Sequence, residues 1–257
     1  MFNDLCTPPE LNARNRLPIH HPDYCYPSSK NPYWTKLKEY SHQVYSDNAT
    51  ESQKGTWSSR FCGKAGASAS SGKLHVEIGC NAGHVILEWA AKKKDHDFIG
   101  IDWKFKPIFR AADKARGRGI DNLIFLRAHA ERLQFMFGPN EIDHLYLFFP
   151  DPWPKKSQWK NRFVNESRLR EIAPVMNPGG IFHIKTDHPA YFEWMLEAVS
   201  HVSDLWEITE MTRDLHQGHP NPQQLKIPDV TLFESLFIKD GIKIQSIKLK
   251  RLNTKAT

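Results

Sequence analysis

The residues best suited to chemistry lie in one short segment, Phe149-Pro-Asp-Pro-Trp-Pro-Lys-Lys156, at the end of an apolar run. Three prolines restrict the backbone there, so we expect Asp151 and Trp153 to be held in a rigid loop. A carboxylate fixed in this way is suited to orienting a substrate or to stabilising positive charge. Without a ligand, the same pattern predicts only a proline-stiffened loop.

Basic and aromatic side chains are interleaved through and beyond this loop. The cations are Lys155, Lys156, Lys160 and Arg162, and the aromatic residues are Trp153 and Trp159. This combination suits phosphate contacts together with base stacking, as in proteins that bind RNA. A solvated basic surface remains the alternative interpretation.

A second candidate site is the glycine turn in His75-Val-Glu-Ile-Gly-Cys-Asn-Ala-Gly83, paired with Asp102 at the end of the next apolar run. An acidic residue in that position can accept the hydroxyls of a ribose. The Gly79 and Gly83 spacing does not match the dinucleotide pattern Gly-x-Gly-x-x-Gly, and Glu77 would repel a pyrophosphate. The charge therefore favours S-adenosylmethionine, which is cationic, over a dinucleotide.

Strand-like runs alternate with helix-like segments from Leu74 onward, which predicts crossover units and a mostly parallel sheet. The predicted strands are 74–79, 97–102, 122–127, 142–149, 180–186, 206–211 and 242–249. The last run alternates apolar and polar residues, so we expect an antiparallel C-terminal strand at the sheet edge. The predicted fold class is α/β, a doubly wound sheet.

Composition divides the chain into three parts. Residues 1–62 form an N-terminal extension with a helix-like patch at Tyr33–Tyr45, and residues 63–72 are a small-residue run typical of a flexible linker. Residues 73–257 form the main domain.

The whole chain has 257 residues and a formal net charge of +6, which permits a nucleic-acid partner without requiring one. No stretch approaches the roughly 20 apolar residues of a membrane span, so we expect no membrane partner and a cytoplasmic location. The four cysteines include no Cys-x-x-Cys pair, so we expect neither a metal site nor a disulfide framework.

The segment 149–156 resembles the most specific motif of the bacterial tRNA (guanine-N7-)-methyltransferases. The resemblance extends over about Leu74 to Arg251. Its supporting matches are Glu77-Ile-Gly79, Gly100-Ile-Asp102, Thr186-Asp187 with Trp194, and Thr231-Leu-Phe-Glu234.

This resemblance implies a class I S-adenosylmethionine-dependent methyltransferase that methylates N7 of a guanosine in the variable loop of tRNA. It implies that Asp151 is catalytic, and it makes the N-terminal extension, residues 1–62, a candidate for contacts with tRNA. The cofactor-binding residues that it implies are Glu77, Gly79, Asp102, His129 and Asp151. The tRNA-binding residues that it implies are Lys155, Asp187, Thr231, Leu232, Phe233 and Glu234.

The chain departs from the family pattern at four positions. Asn81 replaces a glycine, His129 replaces an acidic residue, and Gln158 and Asn161 replace a histidine and an arginine. These departures leave two alternatives open: a methyltransferase for another substrate, or a tRNA-binding protein with weakened or lost catalysis. Thr231-x-x-Glu234 is also the pattern of a helix capping box.

Overall fold

The alternating elements assemble into one eight-stranded sheet in the computed structural model, which describes residues 17–27, 29–62, 72–219 and 230–253. The strands are β1 (Val44–Ser46), β2 (Leu74–Ile78), β3 (Asp97–Asp102), β4 (Leu123–Arg127), β5 (Ile142–Phe148), β6 (Met176–Thr186), β7 (Trp206–Thr212) and β8 (Gln245–Arg251). The helices are α1 (Pro32–Leu37), α2 (Trp57–Cys62), α3 (Ile86–Lys92), α4 (Phe105–Gly117), α5 (Leu133–Met136), α6 (Glu166–Ile172), α7 (Pro189–Ser200) and α8 (Leu232–Lys239).

The sheet confirms the predicted fold class. Its strand order is β1-β4-β3-β2-β5-β6-β8-β7, and every pairing from β1 to β6 is parallel. The C-terminal strand β8 is antiparallel to β6, as predicted. β7 pairs with the outer side of β8, so β7 itself forms the edge.

The chain reverses its direction across the sheet between β2 and β5. It runs from β2 through β3 to β4 on one side, and then returns to place β5 and β6 on the other side. In open α/β sheets, ligands bind at such a switch point, outside the carboxyl ends of the strands. The expected site therefore lies where β2 and β5 end.

Helices cover both faces of the sheet and fix the loops above it. One buried cluster joins α3 and α4 to the sheet through residues such as Ile108 and Phe125. A second cluster joins α6 and α7 to the opposite face through Leu169 and Tyr191. Strands β2 and β4 are buried along their whole length, as is typical of parallel strands covered on both faces.

The N-terminal segment is fastened to this sheet. The prediction of a helix over Tyr33–Tyr45 is only partly right, because α1 ends at Leu37 and β1 begins at Val44, which pairs with Phe125 of β4. Further along, the buried guanidinium of Arg132 pairs with Glu51. The division into three parts stays a prediction, and residues 63–71 of the proposed linker lie outside the described residues.

Other expectations from the sequence concern disulfides, membrane spans and metal sites. Cys80 is a buried free thiol, whereas Cys25 is disulfide-bonded, so the expectation that no cysteine forms a disulfide is wrong at Cys25. Within the described ranges, no helix combines the length and apolar character needed to cross a membrane. The same ranges contain no group of three or more histidine, cysteine or acidic side chains arranged to hold a metal ion.

Candidate active site

The turn after β2 borders the expected site at the carboxyl ends of β2, β3 and β5, which we call the cleft. Gly79 and Asn81 both adopt left-handed backbone, with φ of 74° and 49°. The backbone N–H groups of Gly79 and Cys80 donate to the carbonyl of Ile101, at 2.8 and 3.0 Å, which ties the turn to β3. A Cβ built on Gly79 would meet no atom within 4 Å, so the turn borders open space. Asn81 takes the glycine-like conformation that its short polar side chain tolerates.

Glu77 carries a buried carboxyl near the end of β2, next to the glycine turn. Its residue is 6% exposed, and its Oε2 atom has no hydrogen-bond partner. Burial, and to a lesser extent the neighbouring charge of Asp102, raise the pKa of Glu77 to about 8, although a hydrogen bond from the Ile86 backbone acts in the opposite direction. A buried carboxyl with an orphaned oxygen is costly in its charged form unless a cation or donor reaches it. The site is therefore suited to a positively charged ligand.

Asp102 lies beside the glycine turn at the end of β3. Its Oδ2 accepts from the Asn81 N–H at 3.1 Å, and its Oδ1 accepts from the Lys104 N–H at 2.8 Å. Burial raises the pKa of Asp102, although these backbone donors act in the opposite direction. Each carboxylate oxygen can accept more than one hydrogen bond, so both remain available to ligand hydroxyls.

His129 occupies the end of β4 in a stack of three rings. Its imidazole is nearly parallel to the rings of Tyr26 and Trp103, and its centroid lies 5.6 and 6.0 Å from theirs. Its backbone N–H donates to the Tyr26 hydroxyl at 2.9 Å. Burial lowers the pKa of His129, which favours a neutral ring. His129, which stands where the family pattern has an acidic residue, is thus an uncharged ring that stacks with its neighbours.

Trp103 is the functional candidate that the sequence analysis missed. It follows Asp102 directly and is 54% exposed, and its ring stacks with that of His129. Its carbonyl accepts a hydrogen bond from Arg127 at 2.9 Å, which fixes the backbone. A tryptophan placed directly after the acidic end of a strand was the available signal, because it must lie at the rim of the cleft.

The proline loop after β5 carries Asp151, which is exposed. The aromatic residues on either side of it, Phe149 and Trp153, have positive φ values of 55° and 45°. Such backbone is strained for a bulky side chain and is concentrated at functional sites. The Phe149 N–H donates to the carbonyl of Lys185 in β6 at 2.8 Å, which anchors the start of the loop.

Arg162 supports this loop from inside the protein. The residue is 3% exposed, and its Nε donates to the Pro152 carbonyl at 2.9 Å. Its guanidinium lies 4.7 to 5.1 Å from the ring centroids of three aromatic residues, which are Trp159, Tyr191 and Trp194. The expectation that Arg162 forms part of a solvated or phosphate-binding surface is therefore wrong, because the aromatic cage takes it out of the surface. Lys155, Lys156 and Lys160 remain exposed.

The remaining predicted site residues lie on the β6 side of the cleft. Asp187 is half-buried in the turn between β6 and α7. Thr231 caps α8, and its hydroxyl accepts from the Glu234 N–H, while Glu234 accepts from the Thr231 N–H. The capping box is thus present in the structure. Leu232 and Phe233 are exposed on the first turn of α8.

Glu234 also closes a buried ion cluster. It is fully buried, its Oε2 lies 2.9 Å from the Lys185 ammonium, and its Oε1 lies 2.8 Å from Nε2 of His216. This cluster fastens α8 to β6 and brings the Phe233 ring to 6.4 Å from Phe149, next to the proline loop. The elements thus bring Asp151, Phe233 and the exposed lysines to one side of the cleft, and Glu77, Asp102 and Trp103 to the other.

Comparison with known proteins gives this arrangement a family. The family model Methyltransf_4, described as "Putative methyltransferase", matches residues 71–246. A tRNA (guanine-N(7)-)-methyltransferase of Bdellovibrio bacteriovorus is 31% identical over 214 residues, covering 83% of this chain and 98% of that protein. One from Lactococcus lactis subsp. cremoris is 31% identical over 220 residues, covering 85% and 94%.

A longer relative shares the same region. A bifunctional glycosyltransferase/methyltransferase of Fusobacterium nucleatum is 33% identical over 227 residues, or 88% of this chain. The chain spans only 33% of the length of that protein.

Solved structures agree on the fold. A 16S rRNA methyltransferase, KamB, superposes with a TM-score of 0.53 at 16% identity, covering 72% of this chain and 90% of that one. An antibiotic-related methyltransferase superposes with a TM-score of 0.50 at 20% identity, covering 70% and 88%. At these identities the likeness establishes the fold alone. The family model and the relatives above 30% identity over most of their length establish more: the chain belongs to the tRNA (guanine-N7-)-methyltransferase family.

Proposed function

We propose that this protein transfers a methyl group from S-adenosylmethionine to N7 of a guanosine in tRNA, with the variable loop as the target. The observation that carries the proposal is Asp151, held by a strained proline loop at the switch point of the sheet. The relatives named as tRNA (guanine-N(7)-)-methyltransferases support the choice of substrate and atom.

The residues at the carboxyl ends of β2 and β3 fit this cofactor. The orphaned Oε2 of buried Glu77 is suited to a cationic group, and the open space at Gly79 admits a ligand against the backbone. Asp102 would hold the ribose hydroxyls, while Trp103 and His129 would present aromatic surface to the adenine. When bound, S-adenosylmethionine supplies an electrophilic methyl carbon attached to a positively charged sulfur.

Guanine N7 is nucleophilic and carries no hydrogen, so the reaction needs no base before attack. The task of the protein is to align N7 with the methyl carbon, and such positioning can supply much of the rate enhancement. Positive charge appears on the purine as the methyl group is transferred. In this proposal Asp151, held rigidly by its prolines and by Arg162, stabilises that charge or orients the base, and Asp187 lies on the same side of the cleft.

The tRNA would enter on the side of β5 and β6. Lys155 is exposed beside Asp151 and would meet a phosphate, while Phe233 and Leu232 offer apolar surface for a base. Thr231 and Glu234 are buried at the start of α8, so in this proposal they hold the exposed residues in place. This role explains why a capping box and a substrate motif coincide.

The test uses two tRNA transcripts that differ at one atom. One transcript carries guanosine at the variable-loop position, and the other carries 7-deazaguanosine there, which has carbon in place of N7. We expect methyl transfer from labelled S-adenosylmethionine to the first transcript and none to the second, with similar binding of both. Equal labelling of the two would refute N7 of that guanosine as the acceptor, and binding without any labelling would favour a non-catalytic tRNA-binding protein.

A further inference from the structure

A second group of cations flanks the cleft on the side opposite the proline loop. Helix α4 begins three residues after Asp102, so its first turn lies at the carboxyl end of β3. Four exposed cations cluster here, which we call the α4 basic surface: Lys36 of α1 and Lys104, Lys106 and Arg110 of α4 and its N-cap.

The geometry brings the two helices of this surface together. Helix α1 packs on α4, and the Lys36 ammonium lies 5.1 Å from the Tyr33 ring centroid and 5.7 Å from that of Phe109 in α4. Lys106 and Arg110 are four residues apart, so they share one helix face. Lys104 lies 5.6 Å from the ring of the exposed Trp103.

These cations lack the carboxylate partners that cations near the other end of α4 have. Farther along α4, Arg116 pairs with Asp113, and Arg118 pairs with Glu88. Among the described residues, no carboxylate lies within ion-pair distance of any member of the α4 basic surface. The nearby acid Asp113 is already shared between Arg116 and the Tyr40 hydroxyl, which donates to it at 2.7 Å.

The placement of the charges is unfavourable for the helix itself. Cations near a helix N-terminus oppose the macrodipole, and like charges four residues apart destabilise a helix. The first turn of α4 contains no acidic residue to offset them. An unneutralised positive surface at such a position is the electrostatic pattern of an anion-binding surface, and its position beside a nucleic-acid site indicates which anion.

Resting on the proposed function, we propose that the α4 basic surface binds tRNA phosphates on the far side of the cleft from Lys155, Lys156 and Lys160. The two groups follow β3 and β5, which flank β2 in the sheet, so their strands lie about 10 Å apart. The target nucleotide would therefore be held between two phosphate-binding surfaces.

The experiment measures binding of an unmodified tRNA transcript to the full chain as a function of salt. The test variant is Lys106→Glu with Arg110→Glu. The matched control is Lys92→Glu with Lys94→Glu, two exposed lysines at the other end of the sheet, where α3 ends at Lys92. Each phosphate contact contributes about 0.7 to 0.9 to the slope of log affinity against log salt. We expect the test variant to flatten this slope by about 1.4 to 1.8 and to weaken binding more than about tenfold at 0.1 M salt.

Several controls separate this effect from misfolding and from the proposed function. A glutamate at position 106 interacts favourably with the helix dipole, so the melting temperature of the test variant should not fall below that of the wild type. If it does fall, Lys106→Gln with Arg110→Gln replaces the test variant. Wild-type affinity and slope in the test variant, or an equal loss in the control, would overturn the inference. If the wild type makes no 7-methylguanosine but its tRNA affinity still depends on Lys106 and Arg110, the proposed function fails and the α4 basic surface stands.

Discussion

Replacing Glu77 with glutamine should stabilise the protein, and the gain should grow with pH. The pKa of Glu77 is about 8 in the folded protein and 4.5 in its ordinary state. Below pH 4.5 the carboxyl is protonated in both the folded and the unfolded chain, so it has no effect there. As the pH rises from 4.5 to 8, only the unfolded chain loses the proton easily, and the free energy of unfolding falls.

The size of the effect follows from the pKa difference. A shift of 3.5 units, at about 1.4 kcal/mol each, corresponds to about 5 kcal/mol above pH 8. At pH 7 the difference of 2.5 units gives about 3.5 kcal/mol. Glutamine keeps the shape of the side chain and does not ionise, so the free energy of unfolding of the variant does not fall in this way as the pH rises.

Urea unfolding of the wild type and of Glu77→Gln between pH 4.5 and 9, without cofactor, measures the difference directly. The two proteins should have similar stability at pH 4.5 and should diverge by several kcal/mol at pH 8. Glu197→Gln, at an exposed position on α7, serves as the control and should follow the wild type. A pH-independent difference between Glu77→Gln and the wild type would refute the assignment of a raised pKa to Glu77.

The same property predicts how the cofactor binds. At pH 7 the Glu77 carboxyl is about nine-tenths protonated, and a cationic group beside it would lower its pKa. Binding of S-adenosylmethionine should therefore release close to one proton in the wild type and none from position 77 in the glutamine variant. Calorimetry in two buffers of different ionisation enthalpy reads this release, and equal proton release from both proteins would place the cation elsewhere.

Three further predictions test the surroundings of the site. Asp102→Ala should weaken cofactor binding by about 1–3 kcal/mol in calorimetry, because two backbone N–H donors and the ribose lose their acceptor; an unchanged Kd would remove Asp102 from the site. Arg162→Lys should lower kcat roughly 10- to 100-fold while leaving the cofactor Kd intact, since the loop that carries Asp151 loses its planar anchor; wild-type kcat would show that the cage does not position Asp151. Glu234→Gln should lower the free energy of unfolding by about 3–5 kcal/mol, because Lys185 is left as an unpaired buried charge. A variant that keeps wild-type stability and shows only a raised KM for tRNA would instead make Glu234 a direct substrate contact.

Strands β2 to β5 could be predicted from the sequence because they are mostly apolar runs between turn residues, and β8 could be predicted because apolar and polar residues alternate along it. Strand β3 begins and ends at the residues predicted, Asp97 and Asp102. Strand β1 could not be predicted in this way. It has three residues, and its conformation depends on pairing with Phe125, which is 81 positions away from Val44 in the chain.

The candidate site was predictable where it depends on local sequence. The prolines around Asp151 and the glycine turn at Gly79 are visible in the sequence, and they follow β5 and β2 directly in the structure. The burial of Arg162 was not predictable, because Tyr191 and Trp194 of its cage come from α7, about 30 residues away. The stacking of His129 likewise depends on Tyr26, which the fold brings from the N-terminal segment.

Nucleoside analysis shows whether this chain makes 7-methylguanosine in tRNA. The wild-type protein is incubated with unmodified bulk tRNA and methyl-labelled S-adenosylmethionine, and the tRNA is digested to nucleosides and separated. We expect label in 7-methylguanosine, and we expect kcat of Asp151→Asn to be about 10²–10³ lower than that of the wild type. Label in another nucleoside, no label in tRNA, or an Asp151→Asn variant that works as fast as the wild type would contradict these expectations.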